Sequence, residues 1–259
     1  MGVLNITPDS FSDGGDFFAP ERAVERALQM QAEGAAVIDV GGESTRPGAE
    51  PVPVDEEIAR VVPVIEALRS RLSVPISIDT RKPEVMRAAV GAGAGLINDV
   101  AALREPGALQ AARECGVAVC LMHMQGEPRT MQDDPVYEDV VAGVKAFLQR
   151  RARACEEAGI AREHILLDPG FGFGKTVQHN LQLLARLDEI VALGYPVLVG
   201  LSRKSMIGKL LGLETGERLA ASIALAMLAV ERGARLVRAH DVKETWQALQ
   251  MQAALHGME

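Results

Sequence analysis

Ile76-Ser77-Ile78-Asp79-Thr80 is a short β-branched run that stops on a carboxylate and a hydroxyl. Isoleucine at this density favours a buried strand, and Pro83, just beyond it, suits the first turn of a helix. Gly91 and Gly93 then close that helix. The same sentence is written on both sides of it. Upstream stand Val3-Leu4-Asn5 and Val37-Ile38-Asp39. Downstream stand Leu96-Ile97-Asn98, residues 117–123 ending at His123, Ile165-Leu166-Leu167-Asp168, residues 197–202, and Leu236-Val237-Arg238-Ala239-His240. Helical periodicity follows each run, over residues 21–34, 55–72, 83–93, 106–116, 137–159, 177–194, 217–233 and 242–256. Pro63, inside the second of these, predicts a kink or an interruption. Eight strand–helix units predict an α/β chain with one domain over residues 1–259, a closed (β/α)8 TIM barrel. Chemistry on that fold gathers where the strands end, so the polar residues closing each run are the first candidates.

The bulk composition sets bounds on the rest. A chain of 259 residues leaves little beyond one such barrel, and 48% apolar residues supply its core. Aromatics are only 3%, so aliphatic side chains must fill that core. A net charge of −8 excludes a broad nucleic-acid surface, which needs a basic face. Cys115, Cys120 and Cys155 lack Cys-x-x-Cys spacing and are odd in number, which argues for buried thiols rather than a disulfide framework. No signal-like segment or membrane-length apolar run is present, so the expected compartment is the cytoplasm, with no membrane partner. The connections at 7–20, 41–53 and 124–136 are long, and the first two are rich in Gly, Pro, Ser, Thr and Asp, as in binding loops. Residues 220–230 are apolar almost all round, which predicts a helix buried on several sides, including a subunit contact.

Two kinds of polar cluster emerge at the strand ends. Ser44-Thr45-Arg46 follows Gly41-Gly42, and Arg238 and His240 end the last run. Two guanidiniums, an imidazole, hydroxyls and glycine amides suit a phosphate or diphosphate. Asp79, Asn98 and Asp168 should converge near the barrel axis. They could serve as acceptors for a planar amide-rich ring, or pair internally with Lys204 or Arg238. The stretch Asp168-Pro-Gly-Phe-Gly-Phe-Gly-Lys-Thr176 fails as a Walker loop because Pro169 stands where glycine is needed. It reads instead as a loop presenting Phe171 and Phe173 over the barrel mouth, the alternative being that both rings pack beneath it. Lys204 reads as a fixed cation kept charged by nearby carboxylates; a Schiff-base nucleophile is the rival. His123 lacks a second histidine at metal spacing, and Met122 and Met124 beside it suit a soft apolar wall.

These residues meet a family. Gly2-Val-Leu-Asn-Ile-Thr-Pro-Asp-Ser-Phe-Ser-Asp-Gly-Gly15 and Ile38-Asp-Val-Gly-Gly-Glu-Ser-Thr-Arg-Pro-Gly48 resemble the two signatures of the dihydropteroate synthases. Asp79-Thr80, Ile97-Asn-Asp99, Leu121-Met-His-Met-Gln-Gly126, Asp168 to Lys175, Gly200-Leu-Ser-Arg-Lys-Ser205 and Arg238-Ala-His-Asp-Val242 follow in the family's order. Two features depart from the pattern. The chain opens almost at its first strand, where related proteins carry a short extension, and Ala239 stands where valine is more usual.

The resemblance implies a folate-biosynthesis transferase that joins 6-hydroxymethyl-7,8-dihydropterin diphosphate to 4-aminobenzoate and releases pyrophosphate. It implies that Asp79, Asn98, Met122, Asp168, Lys204 and Arg238 bind the pterin. Asn5, Thr45, Arg46, Arg238 and His240 would bind the diphosphate, with Mg2+ at Asn5. Pro47, Phe173, Lys204 and Ser205 would frame the aminobenzoate, which sulfonamides mimic. Asp79, Asp168, Lys204 and Arg238 are the expected catalytic groups, and a homodimer the expected assembly. A methyltetrahydrofolate-dependent methyltransferase is the nearest rival, but it needs no diphosphate site. A non-catalytic pterin-binding protein and a Schiff-base aldolase are the others.

Overall fold

The computed structural model describes residues 1–6, 19–44, 49–126, 131 and 135–257. Its strands are β1 (Gly2–Asn5), β2 (Ile38–Gly41), β3 (Ile76–Asp79), β4 (Leu96–Asp99), β5 (Ala118–Met122), β6 (Ile165–Asp168), β7 (Leu198–Val199) and β8 (Leu236–Val237). From β1 to β6 they pair in parallel and in sequence order, and β7 pairs in parallel with β8. Two narrow seams join these sheets: Leu167 bridges to Val197, and Gly2 to Ala239. At the seams Leu167 N–H donates to Pro196 O (2.9 Å), and Val3 N–H to Ala239 O (3.1 Å). Each strand therefore has a neighbour on either side, and the sheet closes as expected of a (β/α)8 barrel. The register lines up Asn5, Gly41, Asp79 and Asn98 across successive strands and sets Met122 beside Asp168. The polar run endings thus form one rim.

Helices α1 (Ala19–Ala32), α2 (Val54–Arg69), α3 (Pro83–Ala92), α4 (Ala108–Cys115) and α5 (Val140–Glu157) follow the first five strands. The Asp139 side chain caps α5 by accepting from Val141 and Ala142 N–H. Pro63 does not interrupt α2, which runs unbroken through it. Pro63 and Ala59 both lie on the exposed face of α2, where a carbonyl that loses its helical partner costs less than it would in the core. The segment read as one helix over 177–194 is two, α6 (Val177–Ala185) and α7 (Asp188–Val191). They part at Arg186, whose backbone leaves the helical region at φ −114° and ψ 31°. A short helix that periodicity missed, α8 (Ser205–Leu211), starts straight after Lys204. Its seven residues are too few to show a period. The remaining helices are α9 (Leu219–Glu231) and α10 (Val242–His256).

The main core lies between strands and helices, where Ile38, Ile78, Ile97 and Leu167 meet Val61, Ile65, Leu68, Val85 and Leu148. Phe171 is fully buried in it, so that ring packs beneath its loop rather than over the barrel mouth. Cys120 and Cys155 are buried free thiols and Cys115 is half-buried. In the single chain α9 is not enclosed on several sides. Ser222, Ala226 and Ala229 are buried, whereas Ala220, Ala224 and Leu228 form an exposed stripe. Among the described residues no helix is long and apolar enough to cross a membrane.

Candidate active site

Arg238 organises the strand-end rim. Its Nε donates to Asp39 Oδ2 at 2.6 Å and its Nη2 to Asp79 Oδ2 at 2.9 Å. Asn98 Nδ2 donates to the same Asp39 oxygen at 3.2 Å. Four strands thereby converge on one guanidinium. The internal-pairing alternative for Asp79 is real, yet pairing uses only half of each carboxylate. Asp39 Oδ1 and Asp79 Oδ1 are buried and accept nothing from the described residues. A buried acceptor left over in this way is suited to a ligand N–H. Asp39 was not among the expected site residues, although it ends its strand run just as Asp79 does.

Burial pushes the Asp79 carboxyl up to about 7; Arg238 opposes the shift, while Asp39, Asp99 and Glu57 add to it. Burial also raises Asp168, against the Gly170 N–H that donates to its Oδ1 at 2.7 Å and the Lys204 and Lys175 cations. For Arg238, burial disfavours the charge, but Asp39 and Asp79 outweigh it and hold the guanidinium above its ordinary value. Lys204 is drawn down to about 8, chiefly by burial, with Asp168 opposing. It stays an ammonium at neutral pH, with less margin than carboxylate neighbours alone would give.

Lys204 Nζ sits 4.3 Å from the centroid of the Phe173 ring, a cation–π contact. Phe173 is half-buried and leans on a cluster of Val100, Met122, Met124 and Met131, the soft wall expected from the methionines. Ser205 is exposed at the start of α8 beside Lys204. His240 Nδ1 lies 3.1 Å from Ser202 Oγ, which also accepts the His240 backbone N–H at 3.2 Å. Burial, then Arg238 and Arg203, push His240 down to about 4, so the imidazole is neutral near pH 7.

Asn5 ends β1 opposite Gly41. A Cβ built on Gly41 would lie 3.8 Å from both Asn5 Oδ1 and Asp79 Oδ2, so the amide and the carboxylate overlook the same glycine. Thr45, Arg46 and Pro47 lie outside the described residues. The base of their connection is clasped: Glu43 accepts from Val52 N–H at 2.8 Å and from Lys82 Nζ at 2.7 Å, and Lys82 also donates to Val52 O and the buried Glu57. Among the described residues no group of three His, Cys, Asp or Glu side chains is placed to hold a metal.

Comparison with known proteins gives the family. The family model described as pterin binding enzyme matches residues 1–240. Dihydropteroate synthase of Escherichia coli (strain K12) is 56% identical over 251 residues, which span 97% of this chain and 89% of that protein. Dihydropteroate synthase of Xanthomonas albilineans with 4-aminobenzoic acid superposes with a TM-score of 0.94 at 55% identity, covering 99% of this chain and 92% of that one. The same organism's enzyme in complex with 7,8-dihydropteroate gives 0.90 at 51% identity, again over 99% and 92%. Fold and full-length likeness agree: the chain belongs to the pterin-binding enzymes and, among them, to the dihydropteroate synthases.

Proposed function

We propose that this chain condenses 6-hydroxymethyl-7,8-dihydropterin diphosphate with 4-aminobenzoate to give 7,8-dihydropteroate and pyrophosphate. The observation that carries the reading is the Arg238 bridge between Asp39 and Asp79, with Asn98, Asp168 and Lys204 at the same strand ends. Asp79, Asn98 and Asp168 offer acceptors and a donor matched to the amide edge of a pterin, Met122 lines its wall, and Lys204 donates to a ring heteroatom. Arg238, with Thr45, Arg46, Asn5 and His240, receives the diphosphate. Phe173, Pro47, Lys204 and Ser205 frame the aminobenzoate.

The chemistry follows from charge. As the C–O bond to diphosphate breaks, negative charge grows on the leaving oxygens, which Arg46, Arg238 and His240 would stabilise. Positive charge grows on the methylene carbon, facing Asp79 and Asp168. The aminobenzoate nitrogen then attacks and loses a proton. An aryl amine is already neutral and nucleophilic at pH 7, so positioning replaces a strong general base. Asn5 would give Mg2+ one neutral oxygen donor, the rest of its shell coming from waters and the substrate phosphates. When bound, Mg2+ would neutralise charge on the diphosphate oxygens.

Free buried thiols support work in a reducing cytoplasm. The exposed stripe of Ala220, Ala224 and Leu228 supports a homodimer through α9, and sedimentation of Leu228→Glu tests it. The function itself is tested by pyrophosphate release with both substrates and with each withheld. Release that requires both supports it; release from the pterin diphosphate alone would make the chain a hydrolase.

A further inference from the structure

Lys175 closes the 168–175 stretch, and no step above uses it. Its side chain is only 3% exposed. Its Nζ lies 2.9 Å from Gly170 O, 2.9 Å from Phe173 O and 2.9 Å from His123 Nδ1, with His123 O at 3.4 Å. None of these partners is a carboxylate. The loop they belong to turns through three glycines in the left-handed region, Gly170 (φ 69°), Gly172 (φ 84°) and Gly174 (φ 61°). Such a backbone forms no regular ladder, and the Gly170 and Phe173 carbonyls converge on one buried point. Gly170 O also accepts the Phe173 N–H at 3.1 Å, so without Lys175 it is the Phe173 carbonyl that would carry the cost of an unsatisfied acceptor.

An ammonium is a compact tripod of donors and suits that point better than a planar group. Its burial has a cost: desolvation, with Lys204 adding and Asp168 opposing, draws Lys175 down to about 7. Either charge state fits the site. An ammonium donates to both carbonyls and to Nδ1, while an amine donates to the carbonyls and accepts from Nδ1–H. The imidazole is neutral in either case, pushed down to about 2 by burial and by Lys175 itself.

What Lys175 holds is the wall of the site. The Phe173 carbonyl it grips belongs to the residue whose ring meets Lys204. One residue before, a Cβ on Gly172 would come within 3.3 Å of Lys204 Cδ, so the loop backbone also touches that side chain. Through His123 the same nitrogen reaches the end of β5, next to Met122.

We propose that Lys175 is a positioning residue: by gripping the Gly170 and Phe173 carbonyls and the His123 ring from beneath, it fixes the Phe173 ring beside Lys204, where 4-aminobenzoate enters. This rests on the function proposed above. The test is steady-state kinetics with each substrate varied, on wild type, Lys175→Met, Phe173→Ala and the double variant. Lys175→Met should raise KM for 4-aminobenzoate about tenfold and KM for the pterin diphosphate no more than about twofold. The double variant should be no worse than Phe173→Ala alone, since both changes act through one ring. Lys175→Gln, which keeps two N–H donors, should recover part of the loss, and it carries the comparison where Lys175→Met does not fold. Folded variants with unchanged KM for 4-aminobenzoate, an equal rise for both substrates, or additive effects in the double variant would overturn the proposal. A wild-type protein without turnover would overturn the functional reading and this one with it, whereas an active wild type with insensitive variants overturns this one alone.

Discussion

At the scale of single residues, the rim is held by one cation between two acids. Arg238 is 21% exposed, Asp79 7% and Asp39 not at all, so water screens their attraction little. Arg238→Ala would leave two buried carboxylates without a counter-charge. The expected loss is about 3–5 kcal/mol of folding stability by urea unfolding. Calorimetry should show pterin diphosphate binding weakened as well, and unchanged affinity would remove Arg238 from the anion site. Arg238→Lys should not restore either quantity, since a point charge cannot span two carboxylates the way a planar fork does. His240 gives a second prediction. Its imidazole is neutral when free, at about 4, and a neighbouring diphosphate would favour its protonated form. Binding near pH 6 should therefore take up a proton, read as a dependence of the heat on the buffer's ionisation enthalpy. Asp79, at about 7, also titrates there, so the same measurement on His240→Asn isolates the imidazole; uptake left unchanged by that substitution would remove His240 from the diphosphate contacts. Strand alternation explains what could be read here and what could not. Asn98 and Asp99 are adjacent, but Asn98 turns to the site while Asp99 is wholly buried and accepts from Ala101 and Leu103 N–H, both at 2.7 Å. Asp39 escaped notice because its partner stands 199 residues away.

At the scale of elements, the β6–α6 connection is the most exacting. Gly170 has φ 69°, and a Cβ there would fall 1.9 Å from His123 O, a backbone atom that cannot swing aside. Gly170→Ala should therefore cost at least ~2 kcal/mol, from left-handed strain plus overpacking, and should displace Phe173. Thermal unfolding checks the first effect and KM for 4-aminobenzoate the second; a fully stable, fully active variant would mean that the loop has room that this geometry denies. The rings of that loop also show where reading stopped. Phe171 and Phe173 share glycine neighbours and a spacing of two, yet one is in the core and the other is at the rim. Which goes down is set by the left-handed turns at Gly170 and Gly172, and a residue name does not encode a dihedral. Helices were legible where many residues repeat one period, as in α1 and α5. Pro63 misled because it sits on the exposed face of α2, and α8 was missed because seven residues carry little periodicity.

At the scale of the whole molecule, the barrel was legible because each strand run was followed by helical periodicity and ended on a polar residue. The closing seams were not, since β7 and β8 are two residues each and closure there rests on single bridges. What closure creates is a shared acidic depth, and that has a measurable signature in pH. Asp79 and Asp99 are raised from 3.8 to about 7 and about 6, chiefly by burial. The folded state therefore binds their protons more tightly than the unfolded state. Their contribution to stability is complete below pH 3.8 and is lost as pH rises through 6 to 7. His123 and His240, pushed down to about 2 and about 4, act in the opposite sense up to pH 6.5, because the folded state resists protonating them. The two slopes oppose each other, so the wild-type profile alone cannot separate them. Substitution can. Asp79→Asn removes one acid and leaves both imidazoles, and its loss of the Arg238 ion pair matters least where that carboxyl is already protonated. Urea unfolding of both proteins at pH 4, 6 and 8 should show wild type losing stability relative to Asp79→Asn as pH rises, the loss accruing between pH 4 and pH 7 and levelling off above it. A difference that stays constant with pH, or a wild type that gains on Asp79→Asn as pH rises, would mean that Asp79 is fully ionised in the folded protein and that the depth of the barrel is better solvated than its burial implies.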